Sequence, residues 1–445
     1  MNCITLRSGF LFRVSWRSAH SRRTSIAGLR WIPRPQTFDA WIAYRDYRFI
    51  WVGNFFANTA HWLQLLTLGW LVRDLTEGTE GSALLVVGIG GISTLPGVII
   101  GPLGGVLGDR VDRRKLIMAL QAVMAVIAFG FACLIAFDVV EVWHVFAYAI
   151  VSGAFLSITQ PMRQALIANT VPRHMLGNAY ATNVLTIPGT RAIGPFVGGI
   201  LVSSFGFFWN FTIESLLYVG MILAYWPMHT PYTESRRSRG GTGTTGFLQD
   251  LAEGFRYIWS GNRVLFLLIT LTVVPNVVLQ PVMFMLPLFT TEILGRGADV
   301  GGYMLAINGF GGFLMALTIA SFGFFIKRGM LCLITAAVSS ILALVLIQAA
   351  WLPVALFVIA LFAASQTAFR TTNGTLTQTL APDELRGRIT SLQRLGQGFV
   401  VGSSLLVGWF AGVTSVRFAL AGMGVVGLAL AAAYMIFAGR LREQE

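Results

Sequence analysis

Apolar residues fall into twelve long runs, at about 47–72, 82–107, 115–137, 142–168, 177–204, 206–227, 263–291, 299–325, 330–350, 353–379, 389–412 and 415–438. Charged residues and clusters of Gly and Pro separate them. A helix needs about 20 apolar residues to cross a bilayer, and each run supplies that length. Hydrocarbon offers the backbone no hydrogen-bond partner, so lipid-exposed segments of this kind cross it as helices. The pattern predicts an all-α polytopic membrane protein with twelve transmembrane helices, numbered here as spans 1 to 12.

The longest interruption between spans, 228–262, contains Thr230-Pro-Tyr-Thr-Glu-Ser-Arg-Arg-Ser-Arg-Gly-Gly-Thr-Gly, the composition of a flexible linker. Behind it, Phe247, Leu251, Phe255 and Ile258 recur at helical spacing opposite Asp250 and Glu253. That spacing predicts a short amphipathic helix lying on the membrane surface. Six spans precede the interruption and six follow it. The expected organisation is a basic tail (1–45), a six-helix bundle (46–227), the linker (228–262), a second six-helix bundle (263–439) and a short tail (440–445).

Composition narrows the class. The chain is 55% hydrophobic and only 11% charged, against about 25% charged for a soluble domain, which excludes an ordinary cytosolic enzyme. Its net charge of +13 would suggest nucleic acid in a soluble protein, but the position of the cations says otherwise. From Arg45 onward, one set of loops holds eighteen Lys and Arg, including Arg110, Arg113, Arg114, Lys115, Arg236 and Arg328. The opposite set holds only Arg73, Arg296 and Arg417. This asymmetry predicts both termini and the linker on the cytoplasmic side of the cell inner (plasma) membrane. The basic balance therefore reports topology, and no nucleic acid is expected.

Residues 1–38 hold seven arginines, several serines and no acid. That composition fits an organellar transit peptide, a disordered basic tail or an upstream start; it lacks the apolar core of a secretory signal. The three cysteines, Cys3, Cys133 and Cys332, support neither a disulfide framework nor a metal site.

After span 2 the chain reads Gly105-Val-Leu-Gly-Asp109-Arg110-Val-Asp112-Arg113-Arg114-Lys115. This resembles the G-x-x-x-D-R-x-G-R-R/K signature of the major facilitator superfamily, with Asp112 in place of the second Gly. The resemblance implies that Gly105, Asp109, Arg110, Arg113 and Arg114 form a conformational latch on the cytoplasmic side; the alternative is a stop-transfer cation cluster. Gly97, Gly101 and Gly105, four residues apart, suit close helix packing. Span 5 carries Arg191-Ala-Ile-Gly194-Pro195-Phe-Val-Gly198-Gly199, which resembles the core of that superfamily's antiporter motif, with Thr190 where the fuller pattern has Gly. The motif favours export, and a packing role alone is the competing account.

Val171-Pro172-Arg-His-Met-Leu-Gly177-Asn178 after span 4 echoes Ala381-Pro382-Asp-Glu-Leu-Arg386-Gly387-Arg388 after span 10. Parallel six-span repeats of this sort build the major facilitator fold, with substrate between them near the midplane. The run Tyr44-Arg45-Asp46-Tyr47-Arg48-Phe49-Ile-Trp51, the segment Leu251-Ala-Glu253-Gly254-Phe255-Arg256-Tyr257 and the Pro382 turn resemble the enterobactin-exporter-like branch over residues 40 to 440. The resemblance implies proton-driven export of siderophores, macrolides or other lipophilic compounds.

A charge at bilayer depth costs about 2.5 kcal/mol or more unless it is paired or wetted, so intramembrane polar residues are functional candidates. Arg191 lies near the middle of span 5 and Glu214 near the middle of span 6. Either one of them faces a central cavity, with Glu214 the better proton carrier, or the two neutralise each other between helices. His61 is the second proton-coupling candidate, as an imidazole or as a hydrogen-bonded interhelical histidine. Asn54, Asn58 and His61 form a stripe on span 1. With Arg163, Arg191, Asn276, Gln280, Arg370, Arg394 and Gln397 they are the candidates for lining the cavity, although Arg163 and Arg394 can equally snorkel to the membrane face. An arginine in the cavity would suit an anionic or catecholate substrate.

No G-x-x-x-x-G-K-[ST] loop is present, so ATP-driven transport is not expected, nor is any cofactor or metal. The reading is a monomeric, proton-coupled major facilitator exporter of a small amphipathic or siderophore-like solute, working by alternating access. Its rivals are an uptake symporter or facilitator and a nontransporting membrane sensor. An intramembrane enzyme would need a constellation of acids that the spans do not carry.

Overall fold

The computed structural model describes residues 38–100, 112–184, 186–231, 256, 263–322, 327–382, 389, 396 and 398–442. Gly105, Asp109 and Arg110 of the expected latch, the amphipathic segment apart from Arg256, and Arg394 and Gln397 of span 11 lie outside those residues.

Helices follow the twelve runs in order. The first half of the chain contributes α1 (Arg45–Leu75), α2 (Ser82–Ile92), α3 (Arg113–Ala136), α4 (Val142–Ile167), α5 (Thr186–Phe205) and α6 (Phe207–Tyr225). The second half contributes α7 (Arg263–Leu271), α8 (Ala298–Phe322), α9 (Arg328–Leu346), α10 (Leu352–Leu380), α11 (Phe399–Val413) and α12 (Val416–Phe437). Among the described residues, nine helical stretches are long and apolar enough to cross a membrane, and Ser82–Gly97 and Phe399–Val413 are shorter apolar helices. α1 spans 31 residues but is less apolar, because Asn54, Asn58, His61 and Gln64 punctuate it. Large apolar side chains such as Val126, Leu223, Phe357, Leu406 and Phe437 are exposed. Such a surface is one to be covered by lipid.

Local chemistry sets the ends. The Asp112 carboxylate accepts hydrogen bonds from the backbone N–H groups of Arg114 (3.0 Å) and Lys115 (3.4 Å). The residue that departs from the superfamily signature is thus the N-cap of α3. Gly206, at φ 84°, turns the chain from α5 into α6 through a backbone conformation that side chains with a Cβ rarely adopt.

The run expected at 263–291 is not one regular helix. It passes through π turns at Val274–Val278 and Phe289–Ile293, with Pro275, Pro281 and Pro287 along it. Each proline removes a backbone donor and obstructs the preceding turn, so the ladder widens instead of continuing. Span 2 likewise breaks after Ile92 and resumes at Leu95–Ile99.

Within the first half, α6 packs on α3 and α1, and α1 on α5. Within the second, α10 packs on α8 and α9, and α9 on α12. Among the described residues the halves meet most extensively through two helix pairs, α5 with α8 and α2 with α11. Glycines make both pairs close. A Cβ built on Gly199 would lie 2.8 Å from the Gly302 Cα, and one on Gly302 would lie 2.7 Å from the Pro195 carbonyl oxygen. Across the other pair, a Cβ on Gly408 would lie 2.9 Å from the Leu84 Cα. Backbones approach this closely only where side chains are missing.

Candidate functional site

The polar stripe of α1 begins as structural glue and ends in a cavity. Asn54 is buried and both ends of its amide are engaged: Nδ2 donates to Asn183 Oδ1 at 2.8 Å, and Oδ1 accepts from the Tyr225 hydroxyl at 3.0 Å. One turn on, Asn58 donates to the Thr186 hydroxyl at 3.3 Å and accepts from Arg163 Nη1 at 3.2 Å. His61 then enters a small cavity enclosed by the first half, shared with Gln64, Gln121, Ser152, Arg163 and Tyr218. Arg163 is buried there, with its Nε unpartnered. It points into the bundle and does not snorkel.

Behind this cavity sits Glu214, fully buried on α6. Its Oε1 accepts from the hydroxyls of Tyr148 (2.8 Å) and Tyr218 (3.1 Å), while Oε2 has no partner. Tyr148 stacks on Phe131 with ring centroids 4.6 Å apart, and Phe211 meets both rings edge-on. Tyr218 joins the two environments, because it bonds Glu214 and also lines the His61 cavity. Glu214 and Arg191 form no ion pair, so mutual neutralisation does not describe them. Arg191 is the one of the two that lines a cavity directly.

That second cavity lies between the halves. Trp62, Val86, Gly90 and Arg191 come from the first half, and Gln280, Met283, Phe284 and Leu305 from the second. The Arg191 guanidinium sits 4.9 Å from the centroid of the Trp62 ring. A cation–π contact contributes about 0.5–2 kcal/mol, less than the roughly 2.5–3.5 kcal/mol of an arginine at the centre of a bilayer. The contact alone therefore leaves the charge under-compensated. Arg370, exposed on α10, donates from Nη2 to Gln280 Oε1 at 2.7 Å and to Gln366 Oε1 at 3.5 Å. Among the described residues, Arg163, Arg191 and Arg370 form no ion pair with any carboxylate. Asn276 lies in the π turn Val274–Val278, one turn from Gln280, and lines neither cavity.

The antiporter-like motif divides its glycines between partners. A Cβ on Gly194 would lie 3.0 Å from the Thr59 carbonyl oxygen, and one on Gly198 would lie 3.4 Å from Leu63 Cγ, so both face α1, while Gly199 faces α8. Pro195 sits inside α5, and its carbonyl oxygen is what a Cβ on Gly302 would meet. Of the latch residues, Arg114 donates from Nε to the Tyr225 carbonyl at 2.9 Å and from Nη2 to the Trp226 carbonyl. Its charge thus rests on the C-terminal end of α6, where a helix dipole favours a cation.

Sequence reasoning did not reach Trp62, Tyr148, Tyr218 or Gln64. Two of these carried a visible signal: Tyr218 is four residues after Glu214, hence on the same face of α6, and Gln64 continues the α1 stripe by one further turn. Trp62 and Tyr148 carried none, because each acquires its partner from another helix.

A family model described as transmembrane secretion effector matches residues 39–445. The chain spans about half the length of the first curated relatives it matches. It is 25% identical over 177 residues to the multi-drug resistance efflux pump PmrA of Streptococcus pneumoniae, covering 40% of this chain and 43% of that one. It is 24% identical over 255 residues to a Na(+), Li(+), K(+)/H(+) antiporter of Planococcus maritimus, covering 55% and 57%. A longer alignment, 25% identical over 404 residues, covers 86% of this chain and 91% of the enterobactin exporter EntS of Citrobacter koseri. Among solved structures, a D-xylose–proton symporter superposes with a TM-score of 0.67 at 16% identity, covering 87% of this chain and 97% of that one. The likeness establishes the major facilitator fold.

Proposed function

The chain belongs to the transmembrane secretion effector family, and from that premise we propose that it exports a small amphipathic or siderophore-like solute from the cytoplasm by alternating access, in exchange for protons. The observation that carries this reading is the cavity lined from both halves, with Trp62 and Arg191 on one side and Gln280 and Phe284 on the other. It lies between halves that touch through glycine-lined pairs. Helices in backbone contact at Gly199 and Gly302 have no interlocked side chains there, so one half rocks against the other by losing only van der Waals contact. The cavity then opens to one side of the membrane or to the other.

Glu214 is the proton carrier in this reading. Its carboxyl is buried, held by two tyrosine hydroxyls and free of any cation. Tyr218 is a hydrogen-bonded step from it to the cavity of His61 and Arg163. The named antiporter and exporter relatives support this direction and coupling. The cation asymmetry of the loops supports a multi-pass protein with both termini cytoplasmic in the cell inner membrane, and Gly105, Asp109, Arg110, Arg113 and Arg114 serve as its cytoplasmic latch. The unit of function is the monomer.

Efflux from proteoliposomes under an imposed pH gradient, with a panel of amphipathic solutes, tests the reading. Wild-type protein moves at least one solute uphill, and Glu214→Gln abolishes uphill movement while downhill exchange persists. No gradient dependence for any exported solute, or unchanged uphill efflux by Glu214→Gln, refutes the coupling. Uphill accumulation in the opposite direction would replace export with uptake.

A further inference from the structure

The polar side chains of the cavity between the halves share one property. Arg191 carries only donors, and its face is occupied by Trp62 while no hydrogen bond engages its N–H edge. The Trp62 indole is likewise a donor only. Gln280 has both kinds of group, but Arg370 can only donate, so the Gln280 oxygen is turned toward Arg370 at 2.7 Å and its amide nitrogen is left free. The polar side-chain groups lining this cavity without a partner are therefore all donors, the Gln280 oxygen being engaged by Arg370, and the rest of the lining is apolar, with Met283, Phe284 and Leu305 among it.

Charge points the same way. Among the described residues no carboxylate pairs with Arg191 or with Arg370, the donor to the Gln280 oxygen. The remaining titratable groups nearby are His61 and Arg163 of the neighbouring cavity, neither of them an anion, and Glu214 lines neither cavity. A cationic solute would meet the Arg191 charge and, as side-chain amide acceptor, only the Gln280 oxygen that Arg370 already engages. An oxyanion would accept from Arg191 and from the Gln280 amide together, supplying the counter-charge the cavity lacks.

We infer that the cavity takes an amphipathic anion: an acidic oxyanion group seated on Arg191 and Gln280, with a flat apolar body against Phe284, Met283 and Leu305. This rests on the transporter reading for its purpose but not for its test, because binding is measured at equilibrium, without a gradient. Arg191 and Gln280 act as specificity-determining residues.

The test uses two probes with one ring system and opposite charge, 2-naphthoate and 2-naphthylmethylammonium, titrated calorimetrically into the full chain in nanodiscs. Wild-type protein binds naphthoate and excludes the ammonium probe. Arg191→Gln weakens naphthoate binding roughly tenfold or more, the loss expected of one charge-assisted hydrogen bond, and Arg191→Lys restores part of it. Gln280→Glu disfavours naphthoate and admits the ammonium probe, a gain that misfolding could not produce. Equal binding of both probes by wild type, absence of naphthoate binding, or naphthoate affinity unchanged by Arg191→Gln overturns the proposal. Naphthoate binding that survives while proton-driven efflux fails would refute antiport and leave the anion site standing.

Discussion

The cavity inside the first half and the cavity between the halves are built on opposite plans. In the first, polar groups answer one another at several points, Arg163 donating to Asn58, Gln64 to Ser152, and Tyr218 to Glu214, while Arg163 Nε, Gln121 Oε1 and Glu214 Oε2 have no partner. All of these come from one half of the chain, so a relative movement of the halves would not by itself break the network. In the second, Arg191 rests on an aromatic face, Gln280 is held from one side only, and apolar groups from both halves complete the wall. Under the proposed alternation that cavity would change as the halves part, and the Arg191 N–H edge and the Gln280 amide nitrogen have no partner in it. A buried polar network of this kind, with an acceptor oxygen of Glu214 left open, suits a proton, which changes charge without needing space. A cavity between the halves whose unpartnered polar groups are donors suits the proposed cargo.

The sharpest break in this comparison is Glu214→Gln. It removes the titrating group while keeping shape, so gradient-driven flux falls to background while naphthoate binding, measured in nanodiscs, stays within about twofold of wild type, the scale of a change under 0.5 kcal/mol. A joint loss of both would mean that the two cavities are one site.

Next in size is Gly302→Leu. A side chain there meets the Pro195 carbonyl and the Gly199 backbone, and forcing such a contact apart costs about 1–3 kcal/mol. Thermal unfolding in detergent should shift down and transport should fall, with Gly302→Ala intermediate. A neutral Gly302→Leu would show that α5 and α8 do not need backbone contact.

Trp62→Leu comes third. It keeps the cavity apolar and deletes the cation–π contact with Arg191, worth about 0.5–2 kcal/mol. Naphthoate affinity should change by several-fold, with coupled flux for other solutes retained. The smallest effect is at Asp112, remote from both cavities. Asp112→Ala should lower stability by about 1 kcal/mol through loss of the α3 cap, and Asp112→Gly, which restores the superfamily signature, by only a few tenths. A transport defect with unchanged unfolding in either variant would assign Asp112 to the latch instead.

Much of the fold was legible because the bilayer leaves a long apolar run few alternatives to a helix, and α1 to α12 follow the twelve runs. Regularity was less legible. The π turns around Pro275 and Pro287 depend on how each proline's missing donor is accommodated, which apolar periodicity does not record. At the site, Arg191 and Glu214 stood out because charges are rare at that depth, yet the choice between pairing them and separating them was not available from spacing. The α1 stripe is the clearest case. Asn54 and His61 share a face, and the first is consumed by Asn183 and Tyr225 while the second enters a cavity. Helical period specifies a face, and neighbours decide what that face meets.

The chain by itself determined its class, its helices, the departures from the superfamily signature at Asp112 and Thr190, and the few polar residues committed to membrane depth, because each follows from local composition against a fixed hydrocarbon thickness. Only the tertiary structure decided that Glu214 is held by tyrosines, that Gly194 and Gly199 serve different helices, and that Arg191, Trp62 and Gln280 line one cavity. Those facts join residues from different helices, and the free energy that joins them comes from contacts no single helix contains.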